Sequence, residues 1–217
     1  VSWDWDFGGD GTSTTQNPSH TFSANGTYNV SLTATKGASN DTEIKKELGF
    51  GKYFKKGLLL LHNFEYDDAR DAFLEAQKID STFVMSYWGE AMTHNHPLWR
   101  QQDFEKGNEA LNKLAATLEE RNEKAQTDLE KDFLSAVETL YGEGSKYERD
   151  SAYSAHLENM YKKYPGNQEV GSFYALSILG AVPVGRDDVA YEKGAKVVKG
   201  IIEENPNHPG ALHYLIH

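Results

Sequence analysis

Cysteine is absent from the 217 residues, which removes disulfides, thiolate metal ligands and cysteine nucleophiles. Basic residues are scarce against acidic ones: 22 Lys and Arg face 33 Asp and Glu, for a net charge of −11. A surplus of that sign argues against nucleic acid or an anionic membrane as the main partner, because phosphate binding needs clustered Lys and Arg. It favours solubility and would draw cations or basic peptides. No apolar run reaches the ~20 residues needed to cross a bilayer as a helix; the run Gly57–Leu61 is far too short. A Met-initiated or signal-like segment is also lacking, so the chain reads as a piece of a longer protein, with Val1 inside a strand and His217 inside a helix. No Ser-His-Asp order, glycine-rich phosphate loop or supported pair of catalytic carboxylates can be picked out.

What is present suffices for one or two packed domains. Apolar residues make up 38% and aromatics 12%, the usual composition of a globular protein with a real core. Residues 1–48 have strand character. The segment Thr27-Tyr28-Asn29-Val30-Ser31-Leu32-Thr33-Ala34 alternates, with Tyr28, Val30, Leu32 and Ala34 on one face, the pattern of a half-buried antiparallel strand. Lys36 to Asp41 has turn chemistry, and Thr42–Glu47 can return as the partner strand. Upstream, Gly8-Gly9-Asp10-Gly11 forms a tight turn after the strand Ser2–Phe7.

Trp5-Asp6-Phe7-Gly8-Gly9-Asp10-Gly11, Asn17-Pro18-Ser19-His20-Thr21-Phe22 and Gly26-Thr27-Tyr28-Asn29-Val30 together resemble a PKD domain, with one extra glycine in the turn. The resemblance implies an immunoglobulin-like β-sandwich in a secreted or cell-surface protein. About 48 residues is short for a sandwich of ~80–100, which implies that its first strands lie upstream of Val1.

Beyond a hinge at residues 49–52 the pattern turns helical. Ala69, Ala72, Phe73, Ala76 and Ile79 recur at i, i+3, i+4 spacing across Tyr66–Ile79. Further helices are expected over Thr82–Asn95, Asp103–Arg121, Thr127 to about Tyr141, Glu148–Tyr164, Gln168–Leu179, Asp187–Glu204 and Pro209–His217. Thr127 with Glu130 makes a capping box, and Pro97, Pro165 and Pro206 mark stops. Counted from Phe50, Gly57, Ala69, Phe73 and Ala76 stand at positions 8, 20, 24 and 27. With helix pairs recurring at about 34 residues, this resembles the tetratricopeptide repeat. The stretch Tyr87 to Trp99, with His213-Tyr214-Leu215-Ile216-His217, is similar to a bacterial tetratricopeptide family of unassigned activity. The fold expected is therefore α+β multidomain: a small immunoglobulin-like β-sandwich, cut at its N-terminus, then an all-α superhelix of helical hairpins over 53–217.

The repeat resemblance implies a concave groove, lined by the first helix of each hairpin, that binds a peptide or partner protein. On its register His62 and His96 share position 13 of adjacent repeats, Trp88 and Met92 take positions 5 and 9, and His213 and His217 take positions 5 and 9 of a later unit. These six are the residues expected to face the groove. Histidines at i, i+4 can share Zn²⁺ or Cu²⁺, so His62, His96, His213 and His217 are also candidate metal ligands, with Glu90, Glu138 or Glu169 completing a shell. Ordinary hydrogen bonding inside a helical groove would equally account for them. In a superhelix, non-adjacent repeats stay apart, so the pairs His62/His96 and His213/His217 are not expected to meet. Asp4, Asp6 and Asp10 crowd the glycine turn and could hold Ca²⁺ or simply fix the turn. Asn25, Asn29 and Asn40 begin Asn-x-Ser/Thr sequons.

The function expected is a secreted or surface-displayed scaffold that binds a protein or peptide, with end-to-end self-assembly open to it. A metal-binding protein or metal-dependent enzyme using the histidines is the alternative.

Overall fold

The computed structural model describes residues 2–16, 18–21, 23, 30–36, 39–43, 49–183, 185 and 187–217. The chain divides into two compact units, residues 1–52 and 53–217.

The first unit holds a four-stranded antiparallel sheet in the order β2-β1-β3-β4, built from β1 (Ser2–Phe7), β2 (Thr12–Ser13), β3 (Val30–Lys36) and β4 (Ser39–Glu43). β1 pairs along its length with β3, from Ser2 opposite Thr35 to Phe7 opposite Val30. Its side chains alternate: Trp3, Trp5 and Phe7 turn to the covered face, Ser2, Asp4 and Asp6 to solvent. Phe7 stacks on His20 at 4.0 Å. The turn expected over Lys36 to Asp41 is shorter than its composition suggests, because Lys36 already pairs with Ser39. One sheet lies within the described residues, and a second sandwich layer does not. Asn25, Asn29 and the strand positions 27–29 and 44–47 fall outside them.

The second unit is helical. The expected hinge at 49–52 is the first turn of α1 (Gly49–His62). α2 (Tyr66–Ile79) and α3 (Val84–Met92) follow. A two-residue ladder, β5 (Asn95–His96) with β6 (Gln101–Gln102), encloses a 3-10 turn at Pro97–Trp99. The helix expected over 103–121 is two: α4 (Phe104–Leu114) and α5 (Leu118–Lys124). Thr117 and Glu120 form a capping box that starts α5 afresh, and the buried Arg121 guanidinium takes the freed Ala115 carbonyl at 2.9 Å. α6 (Asp128–Leu140), α7 (Lys146–Lys163), α8 (Gln168–Ala181), α9 (Asp188–Glu204) and α10 (Pro209–Leu215) complete the unit.

Successive helices pack on one another: α2 on α3, α3 on α4, α6 on α7, α7 on α8, α8 on α9 and α9 on α10. Phe73 of α2 is the wedge between α1 and α3. A Cβ placed on Gly57 would lie 2.7 Å from its ring, and Gly89 is pressed from the other side, so both helices need glycine there. The inner ends of α3, α6 and α8 meet through Trp88, Phe133 and Phe173, with edge contacts at 5.2 Å from Trp88 to each of the others. His62 of α1 joins the same cluster by stacking on Phe173 at 5.0 Å, and Tyr214 of α10 bonds to His62. The first inner helix therefore touches the fourth and the fifth. In an open repeat array each unit touches only its neighbours; here the inner helices converge on one aromatic core instead.

Candidate functional site

His62 closes α1 and is 1% exposed. Its ring lies against Gly210, where any Cβ would collide with it; the glycine is what lets α10 come this close. Nε2 stands 2.8 Å from Glu169 Oε2 and Nδ1 2.8 Å from the Tyr214 hydroxyl. Glu169 lies in the first turn of α8, behind the N-cap Asn167, where a helix favours negative charge. His208 is the N-cap of α10, and its Nδ1 accepts the Ala211 N–H at 3.2 Å. Its Nε2 sits 3.5 Å from Glu169 Oε1.

These partners fix the protons. Burial alone would raise the Glu169 carboxyl, but the interactions with His208 and His62 outweigh it and hold the group at about 2. Being ionised, Glu169 only accepts, so His62 Nε2 carries hydrogen. Tyr214, fully buried and pushed well above the usual phenol range by that burial, keeps its hydrogen and donates it to His62 Nδ1. His208, accepting at Nδ1, bears its hydrogen on Nε2 and points it at Glu169.

His62, Glu169 and His208 bring three ligand atoms within 4.8 Å of one another, a donor set found in mononuclear metal centres. A ligating nitrogen must offer a lone pair, however, and His208 Nε2 cannot while its Nδ1 caps α10. His62 ties α1, α8 and α10 together through its bonds to Glu169 and Tyr214, while His208 Nε2 stands 3.5 Å from Glu169 without a hydrogen bond to it.

A second pair of imidazoles lies beside it. His213 Nδ1 donates to the His62 carbonyl at 2.7 Å, and its Nε2 is 3.2 Å from Nε2 of His217. Phe64, which follows α1 in the left-handed region at φ 62°, packs its ring at 4.4 Å from His213 and 5.8 Å from His217. Strain of that kind in a non-glycine residue persists only where the surroundings hold it. The His213 ring bonds the backbone carbonyl of His62, because α10 packs against the end of α1, and His62, His213 and His217 lie close together without forming one shared ligand cluster among the described residues. His96 is not among them. Its ring stacks on Tyr66 at 3.8 Å and its Nε2 bonds the Thr93 carbonyl.

A cavity of ≈ 200 Å³ opens among α1, α3, α6 and α8. Phe54, Leu58, Met85, Phe133 and Phe173 supply apolar wall, and Glu130 and Glu169 supply carboxylates. The Glu169 side chain is 39% exposed. Trp88 also borders the cavity, and its Nε1 has no partner among the described residues. Trp88 and Met92, both expected to face a groove, are 0% and 4% exposed and pack in the core, α3 being buried along its whole length. Of the other carboxylates considered, Glu90 pairs with Lys113 and Glu138 with Arg121.

In the sheet unit the three aspartates go separate ways. Asp6 Oδ1 accepts the Gly8 and Gly9 N–H groups; Asp10 bonds His20 at 3.0 Å and the Ser23 N–H and hydroxyl. Those bonds, the Ser23 hydroxyl foremost, lower the Asp10 pKa. Asp4 stands on the exposed face of β1.

Residues 1–48 match the PKD domain family. No curated protein and no solved structure matches the chain. The PKD segment thus carries Asp4, Asp6 and Asp10, and among its described residues they form no shared ligand set. The Asp6 carboxylate fixes the glycine turn and that of Asp10 anchors Ser23.

Sequence reasoning missed His208, Gly210 and Phe64. His208 had one available signal: the residue before a proline at the first helical position is the N-cap.

Proposed function

We propose that the helical unit is a binding scaffold of an extracytoplasmic protein and takes a short peptide segment of a partner protein into the cavity among α1, α3, α6 and α8. The observation that carries this reading is the cavity itself: ≈ 200 Å³, walled by apolar side chains, with Glu130 and Glu169 at its boundary. An apolar residue of the segment enters between Phe54, Leu58 and Phe133. A neighbouring Lys or Arg meets the part-exposed Glu169 side chain, and the net charge of −11 favours the approach of a basic segment. The unpartnered Trp88 N–H offers a donor to an acceptor that reaches the wall.

The PKD match supports the extracytoplasmic placement, as such domains are typically extracellular. No helix among the described residues is long and apolar enough to cross a membrane.

The test is selection of peptides from a displayed library on the intact chain and on Leu58→Trp, which fills the cavity. Enriched peptides should combine an apolar residue with a basic neighbour, lose affinity as salt rises, and fail to bind Leu58→Trp although its circular dichroism is unchanged. Peptides that bind both proteins equally, or no enrichment at all, overturn the reading.

A further inference from the structure

The buried trio and the outer pair of imidazoles differ in one respect that decides their chemistry, the placement of their hydrogens. His208 spends its Nδ1 lone pair on the α10 backbone, which leaves an N–H and not a lone pair facing Glu169. His213 does the reverse. Its Nδ1 must carry hydrogen to donate to the His62 carbonyl, so its Nε2 presents a lone pair, and that lone pair points at His217 Nε2 3.2 Å away. An imidazole oriented through its second nitrogen by a backbone carbonyl is the arrangement that ligating histidines use.

We propose that His213 and His217 bind a divalent transition ion, Cu²⁺ or Zn²⁺, through their two Nε2 atoms. Two nitrogens ~2.0–2.1 Å from one tetrahedral ion stand about 3.3 Å apart, and 3.2 Å is the separation here. Two bare lone pairs at that distance repel, so something positive lies between them. Without the ion it is one hydrogen, carried by His217 Nε2; with the ion, His217 keeps its single hydrogen on Nδ1 and no proton is gained or lost.

The neighbourhood holds the rings in place. Phe64 packs on both, and the two rings lie at 5.0 Å from each other, His213 in the last turn of α10 and His217 just past its end. Among the described residues no carboxylate or third imidazole joins the pair, so solvent fills the remaining positions. Imidazole suits both ions, and Cu²⁺ binds such sites more tightly than Zn²⁺. This site is separate from the peptide cavity, and neither proposal depends on the other.

Calorimetric titration of the metal-free chain with Cu²⁺ and with Zn²⁺ should give one equivalent bound, with Cu²⁺ the tighter. His217→Ala, at an exposed position, should lower the affinity by at least the roughly 10–100-fold that loss of an outer partner costs; His156→Gln should bind as the parent does. In the unaltered protein, Zn²⁺ should shift the ¹⁵N resonances of Nε2 in His213 and His217 and leave the other histidines in place, a readout that survives even if a variant misfolds. Absence of a stoichiometric event, full binding by His217→Ala, or shifts at His62 and His208 instead would overturn the proposal.

Discussion

A carboxylate in the first turn of a helix gains from the free N–H groups there, and Glu169 adds imidazole N–H donors on the other side. Burial raises its pKa, but the interactions with His208 and His62 outweigh that and hold it at about 2 against an ordinary 4.5. Because the folded value is the lower one, Glu169 stabilises the fold above pH 4.5, and that contribution is lost as pH falls toward 2. Melting temperature measured across this window should drop for the parent protein, and Glu169→Gln should flatten that part of the profile. At this scale the sequence was partly legible. His62 and Glu169 were each recognisable as candidates, one from the repeat register and one as a spare carboxylate. Their union was not, since it depends on Gly210, whose missing side chain has meaning only once α10 lies against α1.

Elements were read well wherever a capping residue and an apolar stripe agreed. Tyr66–Ile79 has the same bounds in sequence and structure, because Ala69, Ala72, Phe73 and Ala76 all turn inward and Asp80 begins a turn. The one long helix expected over 103–121 failed for a readable reason: Thr117 and Glu120 carry the same capping signal as Thr127 and Glu130, but the leucine stripe running past it hid the break. Ala69 is fully buried where α2 packs into the core. Ala69→Leu should therefore destabilise the helical unit by about 1–3 kcal/mol through overpacking, read as a lower urea midpoint; an unaltered midpoint would mean that α2 has room to shift.

At the scale of the molecule, the succession of helices was legible and the contact of the first with the last was not. Periodicity reports which face of a helix is apolar, but it cannot say that α1 meets α8 and α10, residues more than a hundred positions away. Such closure should make residues 53–217 unfold as one unit and not repeat by repeat. Hydrogen exchange should accordingly give α1 and α10 similar opening free energies. Tyr214→Phe, which strands the His62 Nδ1 acceptor at a cost of about 1–3 kcal/mol, should speed exchange in both helices together. Faster exchange confined to α10 would show that the ring of contacts is not what joins them.

The bond between His62 and Tyr214 spans 152 residues, and that span has a meaning in time. A chain made at about 5–20 residues per second exposes the end of α1 for roughly 8–30 s before its last inner partner has been synthesised. For that interval a histidine destined to be sealed away sits at an unfinished apolar edge, with Phe173 and then Gly210 still to arrive. The nascent protein thus passes through a stage in which part of its future core is still exposed apolar surface.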